Sequence, residues 1–166
     1  MPPKKLTDGE NTKFDAIQSV IKGKVIYVGT MKASELHRFA DVPSFHATTS
    51  NLEIVNNINQ QPVKEWQRPP IKEKVKEITR TFNEASEIMP NPVLVAAQKQ
   101  SCFEAIEDKK GQQATGLHKI TLTARKEKGK IIKPLWILDG QHRVRGLGQS
   151  DIKDEPVPLV LLSIGE

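Results

Sequence analysis

One stretch dictates its own local fold: Leu135-Trp136-Ile137-Leu138 is apolar throughout, and Asp139-Gly140-Gln141-His142-Arg143 follows at once. An unbroken apolar run closed by a glycine reads as a buried strand ending in a tight turn. Val144 and Leu147, three apart, then share one helix face, so the turn opens a helix. The first N–H groups of a helix point outward at its positive dipole end, and Gln141, His142, Arg143 and Arg145 add side-chain donors around them. Such a place attracts anions. Gly140, without a Cβ, lets a phosphate approach the backbone, and Arg143 offers a planar fork of donors. The competing reading makes Asp139 only an N-cap and the charged residues a solvated helix face.

The length of 166 residues suits one domain. The start, with Pro2, Pro3, Lys4 and Lys5, has no apolar signal region, and no run approaches the ~20 apolar residues of a membrane span. A soluble, cytoplasmic protein is expected. The single cysteine, Cys102, excludes an internal disulfide framework and reads as structural. His37, His46, His118 and His142 form no metal-ligand spacing with it, and no Gly-x-Ser-x-Gly elbow is present, so neither a dedicated metal site nor a hydrolase triad is expected.

Phe14, Ile17, Val20 and Ile21 sit at helical spacing, which predicts a short helix closed by Gly23 in an N-terminal segment of residues 1–23. A strand is expected from Lys24 to Gly29 and a short helix from Ser34 to Phe39, followed by a loop before Leu52-Glu53-Ile54-Val55. Ile71, Val75, Ile78, Phe82 and Ala85 recur as the stripe of an amphipathic helix, which Pro90 and Pro92 stop. Val93 to Ala97 is an apolar run of the kind buried on both faces, so helices are expected to cover the sheet. Residues 98–117 read as a polar loop, and Pro156 to Leu162 as a last strand.

His118 to Ala124 alternates apolar and polar residues, turns at Glu127-Lys128-Gly129-Lys130 and enters Ile131 to Leu138, which predicts a β-hairpin. Its net charge equals the +5 of the whole chain. Arg125, Lys126, Lys128, Lys130 and Lys133 are therefore candidate contacts to DNA phosphate, although lysines on an exposed hairpin also serve solubility alone. No aromatic residue is interleaved for base stacking.

The string Asp139-Gly140-Gln141-His142-Arg143 resembles the signature of the DGQHR-domain proteins, a DndB-like branch of the ParB/sulfiredoxin-like fold. Trp66-Gln67-Arg68-Pro69, the helix with Val75 and Ile78, and Pro90-Asn91-Pro92-Val93 resemble that family's further elements in the same order. The resemblance covers roughly residues 60 to 165. It implies an α/β (α+β) domain over residues 24–166, a small mixed sheet flanked by helices, as the N-terminal part of a longer protein. It further implies that Gln67 and Arg68 converge with Gly140, Gln141, His142 and Arg143 on ATP or another NTP with Mg²⁺. Asp139 and Glu65 are then the candidate catalytic residues, orienting water or metal. Sulfiredoxins carry their redox cysteine in the residue after the glycine; here that residue is Gln141, so sulfinic acid reduction is not expected. The implied function is an NTP-binding part of a bacterial DNA-modification or defence system, with ATP hydrolysis as the activity of some branches and other such proteins as partners. A non-catalytic DNA-binding regulator is the rival.

Overall fold

A computed structural model describes residues 4–42, 71–84, 91–111 and 113–163. Among the described residues its frame is a mixed sheet of eight strands. Strands β1 (Asn11–Ile21), β2 (Lys24–Lys32) and β3 (Ala40–Asp41) come first, with α1 (Ala33–Phe39) between the last two. Helix α2 (Lys72–Glu84) follows, then β4 (Val93–Ala97), β5 (Phe103–Lys110) and β6 (Gln113–Thr123). The chain closes with β7 (Arg125–Glu127), β8 (Lys130–Ile132), β9 (Leu135–Asp139), α3 (Gln141–Gly148) and β10 (Pro156–Leu162). The sheet order is β3-β9-β4-β10-β2-β1-β6-β5, while β7 and β8, among the described residues, pair with each other alone. β10 runs parallel to β4 and antiparallel to β2, which makes the sheet mixed.

One face of the sheet carries the core. Phe14 and Ala16 of β1, Val93, Val95 and Ala97 of β4, Leu135 and Ile137 of β9, and Leu159 and Leu161 of β10 are all buried there. Leu36 and Phe39 of α1 and Val144 and Leu147 of α3 belong to the same cluster. Burying each large side chain of this kind contributes about 1.5 to 3 kcal/mol, so these two short helices, weak formers by themselves, are held by packing. The opposite face stays open at the β1–β2–β6 end. Cross-strand neighbours Leu117, Ile17 and Val28 are exposed there, Ile17 at 62%.

The expectations for β2, α1, α2, β4, β9, α3 and β10 agree with the structure. The helix expected between Phe14 and Ile21 is instead strand β1, paired with β2 on one side and β6 on the other. The 3-and-4 spacing of its apolar residues is incidental, because burial follows Thr12, Phe14 and Ala16 at period two and leaves Ile17 outside. The loop expected at 98–117 is a 3-10 turn (Gln100–Cys102), strand β5 and the start of β6. As the sheet's edge, β5 carries Glu104, Glu107, Asp108, Lys109 and Lys110 and needs only Phe103 and Ala105 against the core, so its alternation is faint in sequence. The expected long hairpin shrinks to β7–β8, since β6 turns away to pair with β1 and β5, and β9 pairs with β4 and β3. β4 buries Val93, Val95 and Ala97 fully and leaves Leu94 and Ala96 half-buried, so its two faces are unequally covered by the described residues. The segment Leu52 to Val55, Ala85 and Pro90 lie outside the described residues.

Candidate functional site

Gly140 stands between β9 and α3 with φ 92° and ψ 16°, a left-handed conformation costly to any residue with a Cβ. The backbone reverses there within one residue, and Val144 N–H donates to the Gly140 carbonyl at 3.0 Å to start the helix. The Asp139 carboxylate accepts from Gly140 N–H at 2.8 Å, which braces the turn, while the N-cap Gly140 has no side chain to cap the helix. Asp139 itself is 76% exposed.

Arg143 folds back over the glycine. Its Nη1 donates to the Asn91 carbonyl at 2.9 Å, and its Nη2 lies 3.8 Å from Asp139. A Cβ placed on Gly140 would sit 3.1 Å from Nη2 and 3.3 Å from Val93 Cγ2, so the absent side chain is what makes room for the guanidinium. Arg143 thus ties the turn to the entry of β4.

Helix α2 forms the facing wall. Gly146 lets α2 and α3 approach closely: a Cβ there would lie 2.4 Å from Ile78 Cγ2. Thr79 Oγ1 donates to the Gly146 carbonyl at 3.1 Å, and Asn83 Oδ1 accepts from Asp151 N–H at 2.8 Å. His142 Nε2 accepts from Ile71 N–H at 3.2 Å, which ties the start of α2 to the turn and places the imidazole proton on Nδ1. Burial, and then the nearby charges of Lys74 and Arg145, hold His142 below the ordinary histidine pKa, so it is neutral here at pH 7. Between the walls lies a cavity of about 260 Å³, lined by Lys74, Ile78, Asp139, Gly140, His142 and Arg143, and by the buried Gln141.

Of the residues singled out in sequence, Asp139, Gly140, Gln141, His142 and Arg143 therefore meet at one cavity. Glu65, Gln67 and Arg68 lie outside the described residues, as does His46. Lys74 was not anticipated; its place one turn before Ile78, at the border of the amphipathic stripe, could have indicated it, because side chains four apart are neighbours on a helix. Cys102 is buried behind the 3-10 turn, and burial pushes its thiol up, away from the reactive thiolate. His118 packs edge-on against Tyr27 at 5.4 Å.

The basic residues of the expected DNA contact divide. Lys126, Lys128 and Lys130 stand exposed at the tip, where Lys128 and Gly129 take φ values of 47° and 80°, as a two-residue hairpin turn demands. Arg125 donates to the Ser101 carbonyl at 3.3 Å. Lys133 turns away to pair with Asp41 at 3.3 Å.

A model of the DndB family, described as DNA-sulfur modification-associated, matches residues 14–164. The chain belongs to the DndB family. The matched span runs from the middle of β1 through β10 and takes in both the Gln67-Arg68 segment and the Gly140 turn. No curated protein and no solved structure matches the chain. Membership associates this DndB-family protein with a DNA-modification system. Among its described residues no helix is long and apolar enough to cross a membrane.

Proposed function

We propose that this DndB-family protein is the nucleotide-binding component of its DNA-modification system, with NTP phosphates held at the Gly140 turn. The observation that carries the reading is the convergence on one cavity of a left-handed glycine, a helix N-terminus and, among the described residues, two cations, Arg143 and Lys74, against the one carboxylate of Asp139. Backbone donors and a guanidinium fork suit phosphate oxygens better than any neutral ligand. Asp139, largely in solvent beside the turn, is the group that would meet a Mg²⁺ carried by the nucleotide or orient a water for ATP hydrolysis. By the resemblance to the ParB-like arrangement, Gln67 and Arg68 close the same site, with Glu65 as a second carboxylate. A thermal-shift screen of the four NTPs with and without Mg²⁺ tests this: one nucleotide should raise Tm saturably, and none doing so contradicts it.

The second reading, direct DNA binding, rests on the exposed cations at the β7–β8 tip. Changing Lys126, Lys128 and Lys130 to glutamate should weaken duplex binding and flatten its salt dependence while nucleotide binding stays, because the tip is screened from the turn. Unchanged duplex affinity would leave these lysines a solubility role.

A further inference from the structure

Helix α3 faces a second basic cleft, apart from the Gly140 cavity. Arg145 lines a small cavity of about 110 Å³ with His37 of α1, Asp41 of β3 and Lys133. His37 and Lys133 also line a neighbouring hollow of about 350 Å³ whose other walls include Lys4, Lys5 and Arg38. Residues 143 and 145 are about 200° apart around a helix, so α3 sends one arginine to each cavity.

The cleft is built by packing. Leu36 and Phe39 anchor α1 in the core, and His37 rests directly on Gly148, where a Cβ would come within 2.7 Å of its ring nitrogen Nδ1. That crossing sets His37 beside Arg145, one turn earlier on α3. Arg38 Nε donates to the Lys4 carbonyl at 3.2 Å and its guanidinium pairs with Glu10, which fixes the N-terminal segment at the mouth of the hollow. Lys133 Nζ donates to the Ala40 carbonyl at 3.1 Å.

Among the described residues the cations of the cleft outnumber its carboxylates. Glu10 is taken by Arg38, and Asp41, whose charge also attracts Arg145, is shared between Lys133 and the Gln98 amide at 3.5 Å. Arg145 Nε is buried and has no hydrogen-bond partner among the described residues. Guanidinium cannot shed its proton as a buried lysine can, so a half-buried arginine that shares one carboxylate with a lysine is stabilised by a further anion. Burial and then the charges of Arg145 and Lys133 also hold His37 below the ordinary histidine pKa.

We propose that this cleft binds a phosphate group, with Arg145 and Lys133 as its principal donors and Lys4 and Lys5 holding the next charge outward. The small cavity matches one tetrahedral oxyanion, and the wider hollow leaves room for what the phosphate is attached to. The proposal stands independently of the nucleotide reading of the turn.

The test is site-resolved NMR of the histidine rings in the full chain, titrated with inorganic phosphate and, separately, with a short DNA duplex, against chloride at equal ionic strength. Phosphate should shift His37 saturably and raise the pH at which it titrates, since an added anion favours imidazolium. Arg145→Gln, with an unchanged circular dichroism spectrum, should weaken this about tenfold or more, and Lys133→Gln gives a second variant should the first not fold. A duplex that displaces phosphate from His37 identifies a phosphate carried on a nucleic-acid backbone; phosphate binding with no duplex effect identifies a small phosphate ligand. Either outcome supports the site. The proposal is overturned if His37 responds no more to phosphate or duplex than to chloride, if only His142 moves, or if both variants bind phosphate like wild type.

Discussion

At Arg143 one side chain holds a turn and offers itself to a ligand. Its guanidinium reaches the Asn91 carbonyl and Asp139 from opposite ends, yet its side chain remains 26% exposed and borders the cavity. Lysine there keeps the charge and loses the fork, so Arg143→Lys should weaken nucleotide binding by about 1 to 3 kcal/mol, measured by calorimetric titration. Unaltered affinity would restrict Arg143 to bracing the turn. Gly140 was legible in sequence for a direct reason: a glycine between an apolar run and a helical pattern implies a backbone reversal, and its φ of 92° bears that out. The partners of Arg143 were not legible, because Asn91 contributes a carbonyl, which any residue has.

At the scale of elements, the site depends on α2 lying hard against α3. Gly146→Ala forces a Cβ into Ile78 Cγ2, and overpacking of this kind costs about 1 to 3 kcal/mol. Ile78→Ala in the same chain should recover part of that loss, so a denaturation double-mutant cycle is expected to show less than additive destabilisation. Strict additivity would mean that the helices do not meet there in solution. Amphipathic α2 and apolar β4 and β9 were readable because one periodicity dominates each. β1 misled because Ile17 and Ile21 are apolar on the exposed face, which imitates a helical stripe. β5, a charged edge strand, hid for the opposite reason: too little apolar surface marks its inward face.

Across the whole molecule, helices α1 and α3 bring two histidines into basic surroundings, and both are depressed below the ordinary histidine pKa of about 6.5. The unfolded chain therefore binds more protons than the folded one as pH falls through that value, so stability is full at neutral pH and declines on acidification. Tm should fall between about pH 7 and pH 5, and the slope should lessen in His37→Gln; a flat profile would contradict the placement of these rings. The sheet order could not be read from the sequence, because the pairing of β10 with both β2 and β4 joins segments far apart in the chain. The Gly140 turn is proposed to hold the phosphates. Calorimetric titration of the NTP selected by thermal shift into wild type and Gly140→Val, each checked for fold by circular dichroism, tests it most directly. A β-branched residue fits neither the left-handed backbone nor the close approach of a phosphate, so saturable binding is expected for wild type and none for a folded Gly140→Val. Equal binding by both would remove the turn from the site.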